Sequence, residues 1–171
     1  MKDISSCFKF NYYDQHIAKE LLKREGTEET IKYFSENCKD LSNYAYWFFL
    51  STLWVSYSGN SDINLWKKLF SSDRPQKLKS IMKPSELKEF NYLPYFITIY
   101  RAKRPNEKQW IAYTLDIEIA KRFAKERKAN KITKYEVKKR DVLALFLRRE
   151  EKEILVLDET KPRFIEEIEI N

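Results

Sequence analysis

Three short segments of this sequence place polar side chains where they could take part in chemistry. The first ends at Arg101, after a run of alternating apolar residues that is typical of a strand. Alternation puts Arg101 on the same face as Ile97 and Ile99. A guanidinium on the same face as core side chains must have a counter-ion or bind a ligand. Its two parallel N–H donors suit a phosphate or a carboxylate. The alternative is an arginine at the end of a strand that leans into water.

The second segment is the pair Tyr113-Thr114, which precedes a helix-like stretch at residues 117–124 that Asp116 is expected to cap. An aromatic side chain in this position can stack on a flat ring, and a hydroxyl can hold a neighbouring carboxylate in one orientation. The same residue types also occur at helix N-caps and in ordinary cores, so both interpretations remain open for this segment.

The third segment contains Glu151 and Glu153, which lie two positions apart where an apolar strand begins. Strand alternation predicts that both carboxylates project from one face. Two neighbouring carboxylates repel each other, and such a pair suits acid–base catalysis or the stabilisation of a cation. The alternative is a solvated acidic edge that leads into the strand.

Taken in order, the three segments resemble the ADP-ribosyltransferase family of the Arg–Ser–Glu type over about residues 95–171. The shared features are Tyr-Arg at a strand end, an aromatic-hydroxyl step before an Ala-x-x-Phe-Ala helix, and Glu-x-Glu entering an apolar strand. The resemblance implies that Arg101 binds the phosphates and ribose of NAD. It implies that Tyr113 and Thr114 shape the nicotinamide pocket, and that Phe123 packs behind the site.

The resemblance also assigns the two glutamates. Glu153 matches the catalytic glutamate and Glu151 matches the first glutamate of the pair, and we expect Arg101 and Glu153 to face one cleft from neighbouring strands. The family's serine–threonine–serine pattern is kept only at its last position, Thr114, because its first hydroxyl falls on Ala112.

The implied chemistry fits these residue types. Cleavage of the nicotinamide–ribose bond creates a cation on the sugar, which a carboxylate such as Glu153 can stabilise. Arg101 would hold the pyrophosphate in one geometry, and Glu151 would orient or deprotonate the acceptor. No metal is needed, which suits a chain with one histidine and two cysteines that lack metal-ligand spacing.

Composition limits the remaining function classes. The 171 residues, of which 43 % are apolar, can form one compact domain or two small lobes. With only Gly26 and Gly59, the chain cannot contain a glycine-rich phosphate loop. The first ten residues lack the apolar core of a signal peptide, and the apolar run at 44–55 is too short to span a bilayer. We therefore expect a cytoplasmic protein that does not bind membranes.

Hydrophobic periodicity divides the chain into a helical lobe at 1–93 and a strand-rich, NAD-binding catalytic part at 94–171. Helices are predicted at 17–22, 27–41, 44–57, 62–70, 84–90 and 117–124, with a lysine-rich loop at 71–83. Strands are predicted at 96–101, 113–114, 132–137, 142–147, 153–157 and 164–170. The expected fold is α+β, with the helical lobe packed on a split mixed β-sheet of the ADP-ribosyltransferase type and the two parts sharing a core.

Charge is distributed unevenly along the chain. The net charge is +7, and residues 121–149 hold 12 basic against 3 acidic residues, whereas residues 150–171 hold 8 acidic against 3 basic. The basic segment is either a solvated surface or a surface that attracts a phosphate-bearing partner electrostatically. We expect Lys138, Lys139 and Arg140 to contact the acceptor or nucleic acid.

Two functions follow as expectations. The first is an NAD-dependent ADP-ribosyltransferase, a glycosyltransferase acting as a bacterial or phage effector or toxin, with an antitoxin or immunity protein as a possible partner. A protein arginine is the favoured acceptor, because Glu-x-Glu resembles the arginine-modifying subclass, and RNA or DNA comes second. The alternative is a catalytically silent basic module on the same fold that binds nucleic acid or a partner protein.

Overall fold

The structure, a computed structural model, describes residues 3–57, 59 and 61–170. Its class is α+β, as predicted: helices fill the first half of the chain and an antiparallel sheet dominates the second. The chain forms two compact units, one up to Leu87 and one from Lys88 onwards.

The first unit is helical. Its helices are α1 (Tyr12–Leu22), α2 (Glu29–Asn37), α3 (Asn43–Ser56), α4 (Ile63–Phe70) and α5 (Lys77–Ile81), and α6 (Pro84–Tyr92) crosses the boundary between the units. Trp47, Trp66 and Phe70 are among its fully buried side chains. None of the helices in the described part of the chain is long and apolar enough to cross a bilayer.

The helix α5 lies where the sequence predicts a lysine-rich loop, so that prediction is wrong. This helix has only five residues, which is too short to show an apolar period. It forms because it packs against α3 and buries Ser80 and Ile81. Tertiary packing, and not local propensity, stabilises so short a helix.

The second unit is built on one six-stranded sheet. Its strands are β1 (Phe96–Arg101), β2 (Ala112–Thr114), β3 (Lys131–Lys138), β4 (Ala144–Phe146), β5 (Glu153–Leu155) and β6 (Arg163–Glu169). They are ordered β4-β5-β2-β1-β3-β6. Each of these strands overlaps a predicted one, and β1 has the predicted bounds.

The expectation of a mixed sheet is wrong, because every strand pair in the described residues is antiparallel. The helix α7 (Ile117–Glu126) connects β2 to β3, which run in the same direction. These two strands are not neighbours, since β1 lies between them and is antiparallel to both. The crossover helix therefore produces no parallel pair.

The sheet has a seam between β1 and β2. In the described strands these two are paired at one position, Tyr100 with Thr114, whereas β1 and β3 are paired at six. Three strands lie on each side of the seam. The strands that carry Arg101, Thr114 and Glu153 are β1, β2 and β5, which lie side by side across it.

The helix α7 begins where the sequence predicts. The Asp116 side chain accepts a hydrogen bond from the Glu118 main-chain N–H at 2.9 Å, which is an N-cap. Ala120 and Ala124 are fully buried and belong to one core cluster with Ile132 of β3. Their small side chains allow the helix to lie close to the sheet beside the seam.

Candidate functional site

The register of the sheet fixes the faces from which the predicted site residues emerge. Thr114 lies opposite Tyr100 on one side and opposite Glu153 on the other, so these three side chains share one face. Arg101 follows Tyr100 in β1, so its side chain leaves the other face, together with that of Tyr113.

The expectation that Arg101 and Glu153 face one cleft from neighbouring strands is therefore wrong in two respects. Their strands are separated by β2, and their side chains start from opposite faces of the sheet. The alternation of β1 places Arg101 correctly beside Ile97 and Ile99, but the pairing register with β2 and β5 cannot be read from it. A shift of one residue in that register exchanges the faces.

The guanidinium of Arg101 turns into the seam. Main-chain hydrogen bonds at Ile111 and Leu115 are directed towards β5, so the carbonyl of Ala112, between them, is directed towards β1. Arg101 Nη1 donates a hydrogen bond to this carbonyl oxygen at 2.6 Å. The side chain thus satisfies a carbonyl oxygen that a continuous ladder would pair with a main-chain N–H of β1.

Glu107 provides the counter-charge for Arg101. Arg101 is 8 % exposed, and its Nη2 lies 2.5 Å from Glu107 Oε1. Glu107 Oε2 accepts a hydrogen bond from the Arg104 main-chain N–H at 3.2 Å. Glu107 is the only acidic residue between Arg101 and Asp116 in the sequence. Its place as the one carboxylate of this connection is the sequence signal for the ion pair.

Part of the Arg101 guanidinium remains unsatisfied. Its Nε is buried and has no hydrogen-bond partner among the described residues. The ring of Trp110 covers the guanidinium, with 5.4 Å between Cζ and the ring centre. A buried N–H donor without an acceptor is unfavourable, so this atom marks a place where a ligand oxygen would be stabilising.

A second arginine contributes positive charge near Arg101. Arg127 follows α7, and its Nη1 donates a hydrogen bond to the Ala102 carbonyl oxygen. Burial, together with the positive charges of Arg101 and Arg104, lowers the pKa of Arg127 to about 10. Arg127 is still protonated at neutral pH, so the region carries an excess of positive charge.

Tyr113 is enclosed by other aromatic side chains. Its hydroxyl accepts a hydrogen bond from Trp110 Nε1 at 3.0 Å, and its ring meets the ring of Tyr135 edge to face at 5.5 Å. Only 4 % of the residue is exposed, and burial raises the pKa of Tyr113 to about 12. The phenol therefore packs against Trp110, the residue that also covers Arg101.

Thr114 is hydrogen-bonded to the loop that precedes β5. Its hydroxyl donates to the main-chain oxygen of Glu151 at 2.8 Å and accepts from the Asp116 N–H at 3.1 Å. Lys152 adds an ion pair with Asp116 at 2.8 Å. Because the hydroxyl has one proton to donate, Thr114 positions the backbone ahead of Glu153 and does not donate to its carboxylate.

The backbone before β5 is not extended, so the predicted alternation does not reach Glu151. Arg149, Glu150 and Lys152 have positive φ values of 64°, 57° and 45°, and Glu151 has near-helical angles. A non-glycine residue in the left-handed region costs about 1–2 kcal/mol, and such residues cluster at functional sites. The Glu151 carboxylate lies 3.5 Å from Arg149 Nη2, whereas Glu153 is half-buried as the first residue of β5.

Phe123 lies on α7 in a position between two arginines. It is half-buried against the core cluster that contains Ala120 and Ala124. The Cζ atoms of Arg122 and Arg127 each lie 5.2 Å from the centre of its ring. The ring of Phe123 therefore packs against the Arg127 guanidinium. None of these contacts joins Phe123 to β2, the strand of Tyr113 and Thr114.

The three basic residues at the C-terminal end of β3 and just beyond it have different environments. Lys138 is half-buried, and Arg140 is exposed. Lys139 Nζ donates to the main-chain oxygens of Asn91 and Leu93, at the end of α6. The Lys139 ammonium group is thus engaged within the protein, which leaves Arg140 as the most accessible of the three.

Part of the charge asymmetry is compensated within the sheet, where two lysines of β3 pair with glutamates of β6 and one pair, Glu136–Arg163, runs the other way. The basic strand β3 pairs with the acidic strand β6, and ion pairs bridge them. These pairs are Lys131–Glu167 at 2.6 Å, Lys134–Glu166 at 3.1 Å and Glu136–Arg163 at 2.8 Å. The basic segment is therefore a weaker attractor for polyanions than its sequence indicates.

Comparisons with known proteins give no further information on identity. No protein-family model matches the sequence, and no curated protein or solved structure is significantly similar to the chain. Within the described residues, no group of three or more His, Cys, Asp or Glu side chains is placed to hold a metal ion.

Proposed function

We propose that this chain is an NAD-dependent ADP-ribosyltransferase, which breaks the nicotinamide–ribose bond and transfers ADP-ribose to a macromolecule. The observation that carries the proposal is the pairing of Thr114 with Glu153 beside the seam that holds Arg101. A hydroxyl, a carboxylate and a guanidinium thereby lie on three adjacent strands, and the main chains of the outer two are two strand spacings, or about 10 Å, apart.

Glu153 is the proposed catalytic residue. The departure of nicotinamide leaves positive charge on the ribose, and a fixed carboxylate stabilises that charge most when it is already in place. The hydrogen bond from Thr114 to Glu151 and the ion pair between Lys152 and Asp116 hold the backbone that leads into Glu153. This preorganisation supports an electrostatic role for its carboxylate.

Arg101 is the proposed phosphate ligand. Its guanidinium reaches the Ala112 carbonyl oxygen at the seam, and because Arg101 and Glu153 start from opposite faces, a ligand that meets both must pass the sheet at this line. The seam is also the least paired line of the sheet, so a dinucleotide can approach it with little loss of main-chain hydrogen bonding.

Glu151 is the proposed acceptor-side residue. Its carboxylate already has the Arg149 guanidinium at 3.5 Å. That contact favours a protein arginine as the acceptor, because the acceptor presents the same chemical group to the same carboxylate. An effector or toxin of a bacterium or phage, controlled by an antitoxin or immunity protein, is the biological role we propose for such an activity.

A catalytically silent binding module is the second candidate, and two observations favour it. Both terminal nitrogens of Arg101 are already bonded within the protein, to Ala112 and Glu107. In addition, Ala112 occupies the position at which the family's first hydroxyl is expected. Such a module would bind NAD or a nucleic acid without releasing nicotinamide.

Transfer of label from NAD tests the proposed function. The protein is incubated with a bacterial lysate and NAD labelled in its adenylate phosphate, and proteins and RNA are separated on parallel gels. We expect a labelled protein band with the wild type and with Glu150→Gln, a matched exposed control, but none with Glu153→Gln. A labelled RNA band would transfer the acceptor assignment to nucleic acid, and no labelled band in either gel would overturn the proposal.

A further inference from the structure

The Arg101 guanidinium uses only part of its donor edge. Nε–H and Nη2–H point in the same direction and form the two-pronged edge that binds a carboxylate or phosphate through two oxygens. Glu107 Oε1 accepts from Nη2 at 2.5 Å, while the buried Nε has no partner among the described residues. The remaining terminal nitrogen, Nη1, is committed to the Ala112 carbonyl oxygen.

We propose that Glu107 occupies the anion site of Arg101 when no ligand is bound, and that a phosphate-bearing ligand enters by displacing the Glu107 carboxylate. This inference rests on the proposed function in that Arg101 is taken as the phosphate ligand. It adds a residue that regulates the access of the ligand to the site.

The geometry of Glu107 explains why its carboxylate bonds Nη2 of Arg101 but not Nε. Its second oxygen, Oε2, accepts from the Arg104 main-chain N–H and so is turned away from Arg101 Nε. A phosphate group is free of that restraint, and two of its oxygens can meet Nε and Nη2 together. The incoming anion therefore satisfies a buried donor that Glu107 leaves unsatisfied, which favours the exchange.

The segment that carries Glu107 can move at small cost in buried surface. It is part of the connection between β1 and β2, where Lys103, Arg104 and Asn106 are exposed. A turn closes this segment, with the Glu107 N–H donating to the Arg104 carbonyl oxygen at 3.1 Å. The Glu107 side chain can therefore rotate away from Arg101 and release the Arg104 amide, while the main-chain hydrogen bond of the turn is kept.

The surrounding charge favours an anion with more than one negative charge. Arg101, Arg104 and Arg127 lie close enough for the first two to lower the pKa of the third. A single carboxylate neutralises only part of this charge. When Glu107 leaves, the region gains one further uncompensated positive charge, so a di- or trianionic phosphate group is a better counter-ion than the glutamate.

Binding of inorganic pyrophosphate tests this exchange without any need for NAD cleavage. Isothermal titration at low ionic strength compares the wild type with Glu107→Gln and with Glu126→Gln. Glu126 is a matched control because it is exposed and also acts on Arg127, but has no contact with Arg101 among those the structure gives. We expect Glu107→Gln to bind pyrophosphate about tenfold more tightly, and Glu126→Gln to bind as the wild type does.

A second measurement on the wild type does not depend on the variant being folded. Hydrogen exchange of the peptide covering residues 102–111 should become faster in pyrophosphate, because the Arg104 amide loses its bond to Glu107. Equal affinity of the wild type and Glu107→Gln, unchanged exchange in pyrophosphate, or no pyrophosphate binding at all would overturn the inference. Tighter pyrophosphate binding by Glu107→Gln, without nicotinamide release from NAD by the wild type, would support the exchange and reject the proposed function. Nicotinamide release by the wild type, with equal pyrophosphate affinity of the two proteins, would support the proposed function and reject the exchange.

Discussion

Glu151 and Glu153 are two positions apart, yet their backbone environments differ. Glu153 begins β5 opposite Thr114, whereas Glu151 lies in a loop with three left-handed residues. This difference supports separate roles, with Glu153 at the ribose and Glu151 towards the acceptor.

The substitution Glu151→Gln should therefore separate two activities. We expect it to lower transfer of ADP-ribose to a protein acceptor by at least about tenfold while NAD hydrolysis persists, because water can still capture the ribosyl cation. Acceptor labelling and nicotinamide release are measured on the same preparation. Equal loss of both activities would remove the acceptor role from Glu151.

Tyr113 predicts a specific dependence of stability on alkaline pH. Burial raises its pKa from 10 to about 12, so the folded protein favours the neutral phenol. The stability that this provides is fully present below pH 10 and is lost as the pH rises towards 12. Urea unfolding at pH 9 and pH 11.5 should show a smaller loss of stability in Tyr113→Phe than in the wild type. An identical loss in both proteins would show that Tyr113 does not titrate as its burial indicates.

At the scale of elements, the turn from β2 into α7 and the loop before β5 form one connected unit. Asp116 serves both, because it caps α7 through the Glu118 N–H and pairs with Lys152. The hydrogen bond from Lys152 holds the pKa of Asp116 below its ordinary value. The ion pair is thus retained at neutral pH.

Two substitutions of Asp116 separate its functions. Asp116→Ala should destabilise the protein by about 1 kcal/mol through loss of the cap, whereas Asp116→Asn keeps a good cap and loses only the charge. Because the pKa is lowered in the folded state, the charge contributes stability above the ordinary pKa of the group and loses it as the pH falls. Urea unfolding at pH 6 and pH 3 should therefore show wild type and Asp116→Asn converging at the lower pH. A constant difference between them would contradict the ion-pair assignment.

Local sequence patterns predict the elements of this fold well but not their register. The alternation in β1 and the Asp116 cap are local features, and the structure confirms both. Whether Glu153 lies on the same face as Arg101 depends on pairing between distant strands, where a slip of one residue exchanges the faces. The Arg101–Glu107 ion pair was missed for a related reason, since it joins a strand to a loop whose path no periodicity describes.

At the scale of the whole molecule, the excess of 12 basic over 3 acidic residues at 121–149 overstates the attraction for nucleic acid, because ion pairs with β6 offset part of it. Accessible charge is what steers a polyanion. Arg140 is exposed, whereas the Lys139 ammonium group is bonded to the end of α6.

Charge reversal at these two positions should consequently have different effects. Arg140→Glu should weaken RNA binding at low salt by a factor of a few without lowering the melting temperature. Lys139→Glu should lower the melting temperature, because two carbonyl oxygens lose their donor. Lys68→Glu, exposed on α4, makes the same change in net charge and controls for it. Equal weakening of RNA binding by Lys68→Glu and Arg140→Glu would show that only net charge matters.

The release of nicotinamide from NAD by the purified protein tests the central claim most directly. The wild type, Glu153→Gln and the exposed control Glu150→Gln are compared at saturating NAD. We expect release by the wild type and by Glu150→Gln, and a rate about 10²–10³-fold lower for Glu153→Gln, the usual scale for loss of one preorganised electrostatic contact. No release by the wild type above the uncatalysed rate, or an unchanged rate in Glu153→Gln, would contradict the assignment of this site as an ADP-ribosyltransferase centre.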